Sequence, residues 1–117
     1  MDDTPPNDTP QQIVTREDVR QLDALINALA SDNPLRRALA HPSHVLNNLA
    51  RLGAATQVTR VPTLLSQEDA ATLRQAGRAA AYQAERAADP QARLEKQHCA
   101  DVLSALAQRV SDTLGPS

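Results

Sequence analysis

The chain has 117 residues, a formal net charge of −2 and 41% apolar residues, which is typical of one globular domain. Its single cysteine excludes a scaffold held by internal disulfides, and no apolar run reaches the roughly 20 residues that a membrane-spanning helix needs. The acidic N-terminal stretch lacks the apolar core of a signal peptide, so we expect a cytoplasmic protein.

The residue types favour helices throughout. Tyr82 is the only aromatic residue, so Leu, Val, Ile and Ala must build the core, and alanine has the best intrinsic helix propensity. We therefore predict an all-α bundle of four to five helices with a long C-terminal helical hairpin. Residues 13–114 are expected to form one helical domain, and the proline- and aspartate-rich residues 1–12 a disordered tail.

The first helix has a clear start signal, because Thr15 is followed three residues later by Asp18, as in a capping box. Apolar residues then recur on one face of a helix that should end near Ala30. They are Val19, Leu22, Leu25, Ile26 and Leu29.

The middle of the chain predicts two shorter helices. Asn33 and Pro34 are a typical cap and first-turn residue, and we expect this second helix to stop before Pro42. A third helix would begin at Pro42–Ser43 and end at Gly53 in a left-handed cap.

The segment that follows is the least helical by its pattern. Residues 57–61 alternate polar and β-branched apolar side chains, which favours an extended conformation. Pro62 excludes a central strand. We expect a loop or one short edge strand here.

The C-terminal hairpin runs from Ser66 to Leu114 and is broken at Asp89–Pro90. Small residues line its first arm and permit a close approach of the second arm. That stripe comprises Leu73, Gly77, Ala80, Ala84 and Ala87. The apolar face of the second arm comprises Cys99, Val102, Leu103, Leu106, Val110 and Leu114.

Charge is distributed unevenly along the chain. Residues 1–32 carry a net −5, whereas residues 33–67 contain no acid and carry +4. We therefore predict a small non-enzymatic regulator or adaptor that presents this basic middle region to a protein with an acidic surface. The candidate contact residues are Arg36, Arg37, His44, Asn47, Asn48, Arg51 and Arg60.

Reactive chemistry has little support in the sequence. Cys99 lies at the centre of an apolar helix face, so we interpret it as a core residue. Its neighbour His98 points about 100° away on a helix, which opposes a shared metal ion. A zinc site would need His41 and His44, which are three residues apart, to converge with His98 and Cys99 from another helix. We predict no enzymatic activity, no metal site and no cofactor.

A second interpretation is a DNA-binding regulator. The order of helix, short helix, third helix and extended segment at 34–61 resembles that of a winged helix-turn-helix domain. In that case the third helix would contact base edges or phosphates, and three arginines outside it, Arg36, Arg37 and Arg60, would contact the DNA backbone. The contact residues of the third helix would be His44, Asn47, Asn48 and Arg51.

Helix lengths suggest a homodimer. The hairpin arms span on the order of 33–36 Å, whereas the first helix covers roughly 23 Å. Unless the N-terminal helices lie end to end, part of the hairpin remains for a second copy of the chain. Tyr82, between Arg78 and Arg86, is the expected interface anchor. We expect no membrane partner.

Overall fold

The computed structural model describes residues 12–115, which form five helices and, within that range, no strand. The helices are α1 (Arg16–Ala28), α2 (Pro34–Leu49), α3 (Ala54–Leu64), α4 (Gln67–Arg86) and α5 (Pro90–Leu114). The predicted all-α bundle with a long C-terminal hairpin is confirmed. The predicted tail, residues 1–12, lies outside the described range except for its last residue.

Local capping signals set the starts of α1, α2, α4 and α5 as predicted. Thr15 and Asp18 form a reciprocal capping box on α1, with the Thr15 amide donating to Asp18 Oδ2 at 2.9 Å. Ser66 and Asp69 repeat the motif on α4. Asn33 and Asp89 cap α2 and α5, each followed by a first-turn proline.

Helices α4 and α5 form the antiparallel hairpin around which the molecule is built. The Gln67 side chain at the start of α4 donates to Gly115 O at the end of α5, at 2.7 Å. A Cβ added at Gly77 would lie 2.6 Å from Ser104 Oγ and 3.4 Å from Ala100 O. The two helices therefore approach closely because position 77 has no side chain.

The three N-terminal helices pack on this hairpin. Helix α1 contacts α5, α2 and α4, α2 contacts α4 and α3, and α3 contacts α5. One continuous core joins all five helices. Its fully buried large side chains are Leu22, Leu25, Leu39, Leu46, Leu49, Leu73, Leu103, Leu106, Gln57, Val14, Val61 and Val110. None of the helices in residues 12–115 has the length and apolar character to cross a bilayer.

The predicted division of residues 34–52 into two helices is wrong. Helix α2 continues through Pro42 to Leu49. An interior proline removes one helix hydrogen bond and costs about 3 kcal/mol. Pro42 is buried on the same face as Leu39 and Leu46, so packing of that face offsets the local cost.

The predicted extended segment at 57–61 is also wrong, because these residues lie inside α3. Gln57 and Val61, one turn apart, are the buried residues of this helix. Gly53 does not form a left-handed cap: with φ −71° and ψ 161° it is the N-cap of α3. Local β-propensity is overridden here by tertiary hydrogen bonds of a buried side chain on α3.

Those hydrogen bonds come from the Gln57 side chain, which is fully buried. Its Oε1 accepts from the amides of Ile13 and Val14, at 2.8 and 3.1 Å. Its Nε2 donates to Val14 O at 3.0 Å and to Leu49 O at 2.8 Å. One side chain thus joins α3, the end of α2 and the segment that leads into α1.

Arg109 of α5 holds the same segment from the other side. Its Nε donates to Ile13 O at 2.9 Å, and its Nη2 lies 2.6 Å from Asp18 Oδ2. The Asp18 side chain is only 8% exposed, so this carboxylate is partnered by Arg109 and by its own capping box. The start of the described chain is therefore fixed against both α3 and α5.

Candidate partner-binding surface

Because α2 is one helix, the polar residues predicted in its two halves share one face. Arg37, His44 and Asn48 fall within about 40° of one another on the helical wheel. All three are exposed, as is Arg51 in the turn after α2. We call these four residues the α2 outer face. They lie opposite the buried Leu39 and Leu46 side of the helix.

Two of the predicted contact residues have structural partners. Arg36 Nη1 donates to Leu29 O at 3.0 Å, so this partly buried guanidinium satisfies a carbonyl at the end of α1. Asn47 donates to Ser43 O at 2.9 Å within α2. Arg60 is exposed on α3. The predicted contact residues therefore do not form one surface. Four lie on the α2 outer face, Arg36 and Asn47 lie on other sides of α2, and Arg60 lies on α3.

A groove of about 440 Å³ between α1 and α2 adjoins this face. We call it the α1–α2 groove. Its lining residues are Arg16, Val19, Arg20, Asp23, Asn47, Ala50 and Arg51. Three arginines face one carboxylate, so the groove is predominantly basic.

The charges in the groove are only partly compensated. Asp23 Oδ1 accepts from the Ser43 hydroxyl at 3.3 Å, and Arg20 forms an ion pair with Glu17. Within residues 12–115, Arg16 and Arg51 form no ion pair. These two guanidinium groups are the charges best placed to meet an anionic ligand.

The α1–α5 side of the bundle holds the candidate reactive residues. Cys99 is buried, its Sγ donates to Gln21 O at 3.3 Å, and burial raises the pKa of its thiol. His98 is exposed and lies 3.7 Å from Glu17 Oε2. The amide of Gln21, together with Arg20, lowers the pKa of the Glu17 carboxyl.

This arrangement offers no metal centre in the part of the chain that the structure describes, where no three His, Cys, Asp or Glu residues converge. His98 points to solvent and Cys99 into the core, as their adjacent helical positions require. A groove of about 300 Å³ beside them is lined largely by α1 and α5. A buried thiol with a raised pKa is a poor nucleophile.

Tyr82 is 58% exposed on α4, on the side away from the core. Arg86 donates to its hydroxyl at 2.7 Å, and the guanidinium carbon lies 5.2 Å from the ring centroid. Arg78, one turn earlier, is exposed. The three predicted interface residues therefore share one stretch of α4, where Arg86 already contacts the ring.

Arg16 and Arg20 were not predicted as site residues because they belong to the acidic N-terminal block. Arg16 and Arg20 are four residues apart, so they share one face of α1, and Val19 lies on the same face in the groove lining. This spacing is the signal that could have identified them. No protein-family model, curated protein or solved structure matches the chain.

Proposed function

We propose that this protein is a small non-enzymatic regulator or adaptor that binds an acidic segment of another protein. The contact surface is the α2 outer face together with the α1–α2 groove. The observation that carries the proposal is the charge of this surface. Helices α2 and α3 contain no acid. Arg37 is exposed on α2, and three further arginines, Arg16, Arg20 and Arg51, line the groove.

The expected binding is electrostatic and sensitive to salt. Each exposed ion pair contributes about 0.2–1 kcal/mol, so affinity requires several arginines acting together. Charge complementarity also accelerates encounter and disfavours basic competitors. The rigid α4–α5 hairpin supports the surface from behind through the contacts of α2 with α4.

The test is affinity capture from the native host with charge-reversed variants. Arg37→Glu combined with Arg51→Glu should lose the captured partner, because both changes lie on the proposed surface. Arg74→Glu is the control for charge reversal, since Arg74 is exposed on α4 and belongs to neither the α2 outer face nor the α1–α2 groove. A partner retained by the double variant, or lost equally with the control, would contradict the proposal.

DNA binding is the second candidate, and one observation favours it. Helices α2 and α3, joined by the short turn at residues 50–53, form an acid-free helix-turn-helix unit. Residues 12–115 supply no strand for a wing. Helix α3 carries Arg60 as its single charged residue. It therefore offers few side chains of the types that contact base edges, which counts against DNA binding.

A mobility-shift assay with duplex DNA at two salt concentrations separates the two candidates. DNA binding predicts a shift that weakens steeply with salt and that is lost in Arg60→Ala. The adaptor proposal predicts no shift at micromolar protein. A salt-sensitive, Arg60-dependent shift would favour the DNA-binding candidate.

We further propose that the chain acts as a homodimer through the C-terminal hairpin. The exposed apolar side chains on the hairpin are Tyr82 and Leu94, which are 58% and 67% exposed. Burying them would supply the apolar part of an otherwise polar contact. Sedimentation at several concentrations should show a dimer that Tyr82→Ser weakens. A strictly monomeric mass would contradict this part of the proposal.

A further inference from the structure

We infer that two adjoining grooves near the α4–α5 turn form one binding site for a small amphipathic carboxylate, a molecule with an apolar chain and a singly charged head. The first groove, of about 300 Å³, lies between α1, α4 and α5. The second, of about 520 Å³, lies between the ends of α1 and α4 and the first half of α5. Gln83 and Lys96 line both grooves, so the two spaces meet at these side chains. The site requires neither the acidic partner nor a second copy of the chain.

The first groove suits the apolar chain. Its floor is the protein core itself, because Leu25, Ala80 and Cys99 are all buried members of the core cluster. Helix α1 contributes the small, exposed side chains of Ala24 and Ala28, which leave this floor open. The lining residues of α1 cover about two turns, roughly 10 Å along the helix. A concave space with a mostly apolar lining is the usual form of a small-molecule site.

The second groove suits the charged head. Its two charged residues, Arg86 and Lys96, are both cations, and within residues 12–115 neither forms an ion pair. Arg86 donates to the Tyr82 hydroxyl through Nη1 alone, so its other N–H groups remain available to a ligand. Lys96 and Gln83 are half-buried, on facing helices. A carboxylate placed between these side chains would accept charge-assisted hydrogen bonds.

The charge of the joined site favours a monoanion. Among the described lining residues Glu95 is the one carboxylate, against Arg86 and Lys96, and His98 is neutral at pH 7. One positive charge is therefore left to balance, which a carboxylate does and a doubly charged phosphate exceeds. Because Glu95 lines the first groove only, it also disfavours the reverse orientation, with the head in that groove.

The test uses decanoate as the probe, followed by ¹H–¹⁵N spectra of the full chain. Binding should shift the amide resonances of Ala24, Gln83 and Lys96, and leave that of Gln108, exposed on α5 outside both grooves, in place. Octanoate, which is two methylenes shorter, should bind roughly tenfold more weakly. Decanol lacks the charge and acetate lacks the chain. If either binds as tightly as decanoate, or if decanoate shifts only resonances outside the grooves, the inference is overturned.

Variants separate the head contact from the chain contact. Lys96→Gln should weaken decanoate binding roughly tenfold, because it removes a charge-assisted hydrogen bond, and Lys96→Arg should retain most of the affinity. Arg78→Gln is the matched control, since it removes one positive charge from an exposed position outside both grooves. Ala24→Leu exchanges two strong helix formers but fills the first groove, so it should weaken binding without lowering the melting temperature. Equal affinities of the wild type and Lys96→Gln, or equal losses in Lys96→Gln and Arg78→Gln, would overturn the inference.

A second copy of the chain is the competing occupant, since Tyr82 lines the second groove. Spectra at several protein concentrations, without decanoate, distinguish the two. If the groove resonances move with protein concentration and decanoate then causes no further change, a second copy covers the grooves and the inference is overturned. Groove resonances that are independent of protein concentration and respond to decanoate would support it.

Discussion

Gln57 is the residue on which the N-terminal half of the fold most depends, and Gln57→Leu tests that dependence. The substitution keeps the approximate volume of the side chain but removes both polar atoms. Three backbone groups of the N-terminal segment would lose their partner: the amides of Ile13 and Val14 and the carbonyl of Val14. Leu49 O would still accept from the Leu52 amide at 2.9 Å. Because the site is fully buried, water cannot replace the amide without local opening.

The expected cost follows from those three groups. An unsatisfied buried polar group costs about 1–3 kcal/mol. The segment at residues 13–14 can detach and hydrate part of this set, so we expect a net loss of about 2–4 kcal/mol. For a chain of this size, 1 kcal/mol shifts the melting temperature by roughly 4–8 °C. The variant should therefore melt more than about 8 °C below the wild type.

The assay combines thermal unfolding with hydrogen exchange. Gln75→Leu is the matched control, because it makes the same chemical change at an exposed position of α4 and should remain within about 0.5 kcal/mol of the wild type. The amides of Ile13 and Val14 should lose protection in Gln57→Leu alone. Equal stability of the two variants, with protection retained at residues 13–14, would refute the reasoning.

Three further predictions concern packing, the Arg109 contact and the thiol. Ala80 is 1% exposed, so Ala80→Leu should destabilise the protein by about 1–3 kcal/mol through overpacking. Ala71→Leu, at an exposed site of the same helix, should leave the stability unchanged. Equal melting temperatures of the two variants would contradict this prediction. Arg109→Met leaves the buried Asp18 carboxylate with its capping contacts alone and should cost about 1–3 kcal/mol by denaturant unfolding; an unchanged midpoint would contradict the contact. Burial raises the pKa of the Cys99 thiol, so a thiol reagent should label the folded protein far more slowly than the unfolded one. As pH rises, the thiol ionises in the unfolded protein before it ionises in the folded one. The free energy of unfolding of the wild type, relative to that of Cys99→Ala, should therefore fall above about pH 8.5. A difference that does not change with pH would contradict the raised pKa of the folded thiol.

Local signals in the sequence were sufficient for the starts of α1, α2, α4 and α5 and for the hairpin. The capping boxes at Thr15 and Ser66 involve residues three apart, so tertiary structure is not needed to recognise them. The small-residue stripe of α4 is equally local. Gly77 and Ala80 are buried as that stripe predicts.

The errors arise where distant contacts override local preference. Pro42 predicts a helix end from its own chemistry, but burial of its ring depends on packing that the sequence does not display. The alternation at 57–61 favours a strand, yet the partners of Gln57 are 43 and 44 residues away. No local pattern identifies such partners.

The candidate surface was recoverable only in part. The absence of acids from residues 33–67 located Arg37 and Arg51 on a basic region. Arg16 and Arg20 belong to a stretch of the sequence with a net negative charge, so the charge distribution does not single them out. The fold nevertheless places both arginines in the groove beside α2. Arg36 was assigned to partner binding, but its contact with Leu29 O depends on the turn between α1 and α2.

The proposed site for an acidic partner comprises the α2 outer face and the α1–α2 groove. Hydrogen–deuterium exchange of the protein alone and saturated with its captured partner tests this site most directly. Binding there should increase protection in residues 16–23 and 37–51 and leave the outer side of the hairpin unchanged. Protection confined to residues 67–114, with α2 unchanged, would contradict it.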